Sequence, residues 1–402
     1  MANTNLTIDK ITREALMILE NNLGFAKGVN REYSSEFANG GAKIGDTVRV
    51  RKPAQYTVRS GAALSAQDHT ETSVNVALDN QKGVDINFTS KELTLDIDDF
   101  SKRILEPAIS QIANQIDHDG LLLAKEVYNS VGTPGTTPSA LKTYLEAGAK
   151  LDYMSAPMGN RCVALEPTAQ VEIVDSLKGL FQSSEQIKNQ YEQGNMGLAA
   201  GFKWSMDQNI YTHTTGPLGG TPLMDGATAD GASAVVTDGW TAAAASRLVV
   251  GDIFTIAGVF SVNPRSKQST GQLQQFVVRE AFSSDGSGDG TIQISPSIVA
   301  SGAAKNVTNV PADNAALTIL GAASTITPVN MAYHKDAFTL ATADLMLPKG
   351  VHDAAVVRDK QLGISIRMVR QYDINTDTMP MRLDVIYGWK AIRPELACRI
   401  HG

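Results

Sequence analysis

The chain has 402 residues, 43% hydrophobic and 19% charged, which excludes a disordered or collagen-like protein and provides for more than one buried core. Its 35 Lys and Arg against 42 Asp and Glu give a formal net charge of −7, so the chain as a whole lacks the basic surface that tight phosphate binding needs. Two cysteines are too few for a disulfide scaffold and indicate a reducing compartment. Without a signal-peptide pattern or about 18 successive apolar residues, we expect a soluble protein.

The first elements are predicted to be a helix followed by a long β excursion. Apolar residues at helical spacing over 8–19 predict the helix. Alternation of polar and apolar residues over 46–51 and again over 72–88 predicts two strands, joined by a polar connection from Ser60 to Thr70. A lone hairpin of this length has no core of its own, so we expect it to rest on another surface.

A second and longer helix is predicted over 101–130, where apolar residues recur at steps of three, four and seven. Its length would be roughly 45 Å at 1.5 Å per residue. Ile112 and Ile116 lie on the predicted buried stripe. Pro107 in the first turns and Gly120 within the helix predict a bend.

From 132 to 216 the pattern is mixed. A turn is predicted at Pro134–Pro138 and a short strand at Arg161–Leu165, and the predicted helices cover 139–154, 169–181 and 185–192.

The composition changes at Gly216. Residues 217–327 contain 13 of the 34 glycines and a single glutamate. Short β-type runs recur there between Gly and Asp residues, at the spacing of a β-sandwich or barrel. These runs are Leu248–Val250, Ile253–Phe260, Phe276–Arg279, Thr291–Ile294 and Leu317–Leu320. Since the mixed pattern returns after Pro328, we expect an all-β domain inserted into an α+β host.

Two acidic segments resemble metal sites only superficially. The segment Asp285–Gly290 resembles a calcium loop, but Pro296 stands where an EF-hand needs a bidentate acid, so a Gly-rich turn is favoured. Asp117, His118 and Asp119 are consecutive on a predicted helix, where neighbours point about 100° apart. We therefore expect a solvated helix face at these three residues.

The sequence also lacks catalytic patterns. No zinc spacing, nucleophile elbow, phosphate loop or dinucleotide fingerprint is present. Cys162 lies in a predicted strand and is read as a small core residue, with a nucleophile as the alternative. Arg49, Arg51 and Lys52 form a basic cluster beside the predicted hairpin, which either protects an edge strand or contacts another subunit. We expect no enzymatic activity, no metal and no cofactor.

The order of the elements resembles that of the major capsid proteins of tailed double-stranded DNA phages. It is most similar to the coat proteins of short-tailed phages related to the lambda-like Salmonella phage, which carry an inserted domain. The segments that support the resemblance are Lys43–Pro53, Leu93–Phe100, Gly251–Val259 and Tyr387–Glu395. Their order is specific, whereas no single segment is diagnostic.

The resemblance implies the α+β tailed-phage major capsid protein fold with an inserted all-β, barrel- or sandwich-like domain. The implied parts are an N-terminal arm (1–40), an extended loop (41–90), a peripheral domain with a spine helix (91–134), an axial and peripheral core (135–216 and 328–402) and the inserted β-domain (217–327). Relatives carry a long polar loop early in the insert, whereas Asp225–Trp240 is short and rich in Gly and Ala, so that contact with a neighbour is not expected here.

The resemblance further implies a structural protein that self-assembles into an icosahedral shell around the phage genome. Its implied partners are copies of itself in hexamers and pentamers, a scaffolding protein, a portal protein and, non-specifically, the packaged DNA, with no membrane. Assembly would occur in the host cytoplasm. Candidate inter-subunit contacts are Arg49, Arg51, Lys52, Arg59, Asp68 and Glu71. A non-enzymatic adhesin or surface-binding protein with a β-domain is the alternative, and a hydrolase based on Cys162 is the enzymatic one.

Overall fold

The computed structural model describes residues 8–31, 47–59, 61–64, 66, 72–87, 104–177, 197–358 and 364–402. The chain divides into two compact units. The first unit comprises Met1–Val50, Ser73–Gly120 and Phe338–Ile392, and the second comprises Arg51–Thr72, Leu121–Ala337 and Arg393–Gly402.

The α-helices of the described residues are α1 (Ile8–Asn22), α2 (Glu106–Leu121), α3 (Leu141–Tyr153) and α4 (Pro167–Leu177). Short 3₁₀ helices cover Phe25–Gly28, Leu122–Glu126, Lys335–Ala337 and Pro394–Leu396. The strands up to the insert are β1 (Thr47–Arg51), β2 (Ser73–Ala77), β3 (Asn80–Ile86), β4 (Ser130–Val131), β5 (Arg161–Leu165), β6 (Leu198–Ala199), β7 (Phe202–Met206) and β8 (Thr212–Thr214). Those of the insert are β9 (Leu223–Met224), β10 (Ala232–Asp238), β11 (Ala245–Leu248), β12 (Ile253–Val262), β13 (Ser269–Val278), β14 (Phe282–Ser284), β15 (Gly290–Ile298) and β16 (Leu317–Ile319), and β17 (Ile326–Pro328) follows at its end. The remaining strands are β18 (Asn330–His334), β19 (Phe338–Ala343), β20 (Asp353–Arg358), β21 (Ser365–Arg370), β22 (Met381–Ala391) and β23 (Ala397–Ile400).

The first unit is built on an antiparallel sheet in the order β19-β22-β21-β20, with β3 also paired to β22. Helix α1 packs on β20 and β21, and it buries Ile11, Ala15 and Leu19 as its spacing predicts. The predicted helix over 8–19 is therefore confirmed, with an apolar face that stabilises it against the sheet.

The predicted strand over 72–88 is two strands with different partners. β2 pairs with β1, and β3 pairs with β22 over seven residue pairs, from Met381↔Ile86 to Tyr387↔Asn80. The apolar residues Val74, Val76 and Leu78 of the first part are in phase with Val84 and Ile86 of the second, so the period alone does not show the break at Leu78 and Asp79. The hairpin of β1 and β2 is consequently shorter than predicted.

The long helix is also shorter than predicted. α2 ends at Leu121 and a 3₁₀ turn follows, so the helix does not reach residue 130. A Cβ on Gly120 would lie 2.6 Å from the ring of Trp389, whose indole N–H donates to the Ile116 carbonyl at 3.0 Å. Glycine is a weak helix former, and here it also makes room for a large ring. Ile112 and Ile116 are buried, which confirms the predicted stripe.

The expectation of a solvated helix face at 117–119 is wrong for two of the three residues. Asp117 is buried and accepts hydrogen bonds from the backbone N–H groups of Gly24 and Ala26, at 2.6 and 2.9 Å. Asp119 accepts one from the Tyr387 hydroxyl at 2.6 Å. Only His118 is exposed. Donors from distant segments satisfy both carboxylates, and helix periodicity does not reveal such donors.

The second unit contains the host sheet, in the order β4-β23-β18-β5-β7-β6. The predicted helix over 139–154, the helix over 169–181 and the strand at Arg161–Leu165 correspond to α3, α4 and β5, and residues 178–181 of the second helix lie outside the described residues. The predicted helix over 185–192 lies outside the described residues.

The insert is a six-stranded barrel in the order β16-β12-β13-β15-β10-β9, closed by a bridge between Leu223 and Ala316. It has its own core, whose buried members all lie between Met224 and Leu317. β11 and β14 form a separate ribbon. The segment Asp225–Trp240, read from its composition as a short loop, contains barrel strand β10. The β-branched residues of this strand are confined to the short run Val235–Thr237, so the Gly- and Ala-rich composition of the whole segment did not indicate a strand.

Two antiparallel strands lead into and out of the insert. β8 and β17 pair through Ile326↔Thr214, Thr327↔His213 and Pro328↔Thr212, and we call this pair the neck. Within the host, Phe338–Ile392 belongs to the first unit together with α2, and Arg393–Gly402 belongs to the second.

Candidate assembly surfaces

The extended loop begins from a ribbon with a buried base. Val50 of β1 and Val76 of β2 are buried in one apolar cluster with Ala341 and Ile392. Beyond the ribbon, the Lys52 N–H donates to the Thr72 carbonyl at 2.7 Å. The base of the loop is thus held by apolar burial.

The described part of this loop exposes large apolar side chains. Val58 is 99% exposed, Leu64 89% and Tyr56 57%. Single exposed apolar residues are ordinary, but three in one short irregular segment are typical of a surface that takes part in binding.

The basic candidates lie at the start of the same loop. Arg49 and Arg51 are exposed on β1, on either side of buried Val50, so both project from one face of the strand. Lys52 is half-buried, and exposed Arg59 donates through Nη1 to the Gly61 carbonyl.

The two acidic candidates, Asp68 and Glu71, lie outside the described residues. Of the six candidate contacts, the structure therefore places the four basic ones only.

The Gly-rich acidic segment of the insert is a turn closed by its first residue. Asp285 Oδ1 accepts hydrogen bonds from the N–H groups of Ser287, Gly288 and Asp289 at 2.8–2.9 Å. These bonds, the one from Asp289 first, lower the pKa of Asp285. The carboxylate therefore stabilises the turn, which agrees with the predicted Gly-rich turn at this segment. Within the described part of the chain, no group of three His, Cys, Asp or Glu is placed to hold a metal.

Both thiols are buried in the host sheet. Burial raises the pKa of Cys162 on β5, and it raises that of Cys398 on β23 to about 12. A nucleophilic cysteine needs the opposite shift, toward the thiolate. The reading of Cys162 as a core residue is confirmed.

A buried polar cluster in the neck was not predicted. His213 Nε2 lies 2.8 Å from Asp252 Oδ1, and the Tyr211 hydroxyl lies 3.1 Å from His213 Nδ1. Asp252 Oδ2 accepts hydrogen bonds from the N–H groups of Val249 and Gly216, at 2.8 and 3.1 Å. His213 and Asp252 are 39 residues apart in the chain, so no spacing rule connects them.

Within the described residues, no helix is long and apolar enough to span a membrane.

Comparison with known proteins gives one family and a group of structures. The model of the family described as "P22 coat protein - gene protein 5" matches residues 1–402. The curated proteins contain no match. A solved structure described as "Mycobacterium phage Che8" is 12% identical, covers 94% of this chain and 90% of its own, and has a TM-score of 0.48.

Two further structures are similar to this chain over different lengths. "Capsid structure of the Cyanophage P-SCSP1u" is 9% identical, covers 90% of this chain and 84% of its own, and has a TM-score of 0.45. "CUS-3 coat protein I-domain" is 31% identical, covers 27% of this chain and 100% of its own, and has a TM-score of 0.20.

Proposed function

The chain belongs to the P22 coat protein family, and we propose that it builds its shell through the extended loop between β1 and β2. It is a structural major capsid protein, which self-assembles into the icosahedral shell of a phage virion. The proposal concerns the residues that make the contacts between subunits and the partners that take part.

The observation that carries the proposal is the exposure of Val58 and Leu64. Burying a valine or leucine side chain contributes about 1.5–3 kcal/mol. A contact of this size is weak for one pair of subunits, but each subunit of a closed shell repeats it by symmetry and has several neighbours at once. Exposed apolar residues on a loop are suited to such a contact, because they bind a neighbour without altering the subunit's own core.

The basic residues give this contact its orientation. Arg49 and Arg51 lie on one face of β1, and Lys52 and Arg59 follow in the loop. We assign to them acidic partners on a neighbouring subunit, and to Asp68 and Glu71 basic ones. Charged residues at the rim of an interface contribute more to register and rate of association than to affinity.

The proposed partners are copies of the chain in hexamers and pentamers, a scaffolding protein and a portal protein. The net charge of −7 suits a shell that encloses DNA without binding it tightly. Two reduced cysteines agree with assembly in the host cytoplasm.

Deletion of Ser60–Thr70 tests the role of the loop. We expect the monomer to melt as the wild type does, because Leu64, the large apolar residue of the segment, is exposed and belongs to no core. We also expect no closed shells in negative-stain microscopy. Val58→Ser with Leu64→Ser should reduce shell yield, whereas the matched pair Val58→Ile with Leu64→Met should retain it. A deletion that unfolds the monomer, or that still forms normal shells, would refute the assignment.

We further propose that the protein has no enzymatic activity. The raised pKa of Cys162 disfavours the thiolate that a hydrolase would need. Assays with ester and peptide substrates test this. Saturable turnover that Cys162→Ala abolishes would overturn it.

A further inference from the structure

A small cavity lies in the second unit where the neck meets the C-terminal strand. It is lined by His213 of β8, Thr327 of β17, Asp252 directly before β12, Arg399 of β23 and His401 directly after β23. We call it the neck cavity. It joins three segments that are far apart in sequence: the neck, the first long strand of the barrel and the end of the chain.

Four buried polar atoms on residues of the neck cavity have no hydrogen-bond partner among the described residues. They are Thr327 Oγ1, Arg399 Nε, Arg399 Nη2 and His401 Nδ1. The three side chains are nearly sealed, with Thr327 and Arg399 2% exposed and His401 4%. Leaving such groups unpaired is unfavourable and rare, and their concentration at one cavity indicates a shared partner.

The neighbouring protein groups are already engaged. Arg399 Nη1 donates to the Gly251 carbonyl at 2.7 Å, which leaves the opposite edge of the guanidinium free. Both oxygens of Asp252 are occupied, Oδ1 by His213 and Oδ2 by the N–H groups of Val249 and Gly216. A ligand inside the cavity that Thr327, Arg399 and His401 line is therefore the candidate partner of the four atoms.

The cavity has a volume of about 10 Å³, close to the least that admits one water molecule. We propose that the neck cavity binds a single structural water that joins the neck to the C-terminal strand. The water accepts hydrogen bonds from Arg399 Nε–H and Nη2–H and donates its two protons to Thr327 Oγ1 and His401 Nδ1. Its full capacity of two accepted and two donated bonds is then used.

The charge state of His401 agrees with this arrangement. Burial, together with the positive charge of Arg399, lowers the pKa of His401 to about 3. The ring is therefore neutral near pH 7, and the tautomer protonated on Nε2 leaves Nδ1 free to accept a proton from the water.

A monatomic anion fits the cavity less well than water. Asp252 lines the same cavity, so its carboxylate would repel the anion. A halide is also larger than a water molecule, and the space is only about that of one water. A cation is disfavoured by the guanidinium of Arg399. Water is the ligand that matches the size, the charge and the donor and acceptor count.

Removing one hydroxyl from the site tests the proposal, and the chain contains a matched control. Thr339 of β19 is also buried with an unpartnered Oγ1, but it does not line the neck cavity. Thr→Val keeps the shape and removes the hydroxyl. Thr327→Val should lower the melting temperature by about 2–4 °C, since the water loses a bond. Thr339→Val should leave it unchanged or raise it. A Thr327→Val that behaves like Thr339→Val would overturn the proposal.

Two further measurements on the full-length wild type test for the bound water even if Thr327→Val does not fold. Melting in sodium chloride and in sodium gluconate at equal ionic strength should give the same temperature. Dependence on chloride would identify a bound anion and overturn the assignment of water. A high-resolution reconstruction of the assembled shell should show one isolated density peak within about 2.7–3.2 Å of Arg399 Nε and Thr327 Oγ1. The absence of a peak would also overturn the proposal.

Discussion

Acid should weaken the second unit through His401. Burial and the nearby charge of Arg399 lower the pKa of this ring to about 3 in the folded chain, against about 6.5 when unfolded. Below about pH 6.5, His401 binds a proton in the unfolded state but not in the folded state. The stability of the fold therefore decreases as the pH falls, and the loss is complete near pH 3. A pH of 5 lies about 1.5 units below the pKa of the unfolded-state histidine. Proton binding at that pH therefore lowers the free energy of the unfolded state by about 2 kcal/mol.

The assay compares the free energy of unfolding of the unassembled chain at pH 7 and pH 5, by urea titration. His401→Gln removes the titrating group. Between the two pH values, the free energy of unfolding of this variant should therefore fall by about 2 kcal/mol less than that of the wild type. The pKa of His334 is also lowered by burial, but this residue is present in both proteins and cancels. His352→Gln, at an exposed position, should behave as the wild type. Equal losses in the wild type and His401→Gln would refute the reasoning.

Three further predictions concern the cores. Ile112→Asp should place an unpaired charge in the buried stripe of α2 and cost several kcal/mol, enough to prevent folding; soluble protein that still assembles would contradict it. Arg247 is buried and donates to the carbonyls of Leu218, Thr241 and Ala243 and to the Ser284 hydroxyl. Arg247→Met should destabilise the insert by about 3 kcal/mol in urea unfolding, because these acceptors lose their donor; an unchanged midpoint would contradict it. Residues 217–327 expressed alone should be β-rich by circular dichroism and melt in one cooperative transition, since their core is internal; a disordered spectrum would rule out this boundary.

The spacing of apolar residues and the local composition were enough to predict several helices and strands of this protein from its sequence. The apolar spacing of α1 and the buried stripe of Ile112 and Ile116 follow from the helical period of 3.6 residues. The runs that became β12 and β16 follow from β-type composition between turn residues. The change at Gly216 marked the insert for the same reason, since glycine and aspartate favour turns over helices. These features depend on residues within one or two turns of each other, so the sequence carries them directly.

Only the tertiary structure decided the features that depend on distant partners. The strand over 72–88 divides because its second half, β3, finds β22 about 300 residues later in the chain. α2 ends near Gly120 where the Trp389 ring packs, and Asp117 is buried because backbone donors near Gly24 reach it. The neck cavity brings His213, Asp252 and Arg399 together from three segments. No local pattern encodes such contacts, because each depends on how complete elements pack, and packing is settled by the whole chain at once.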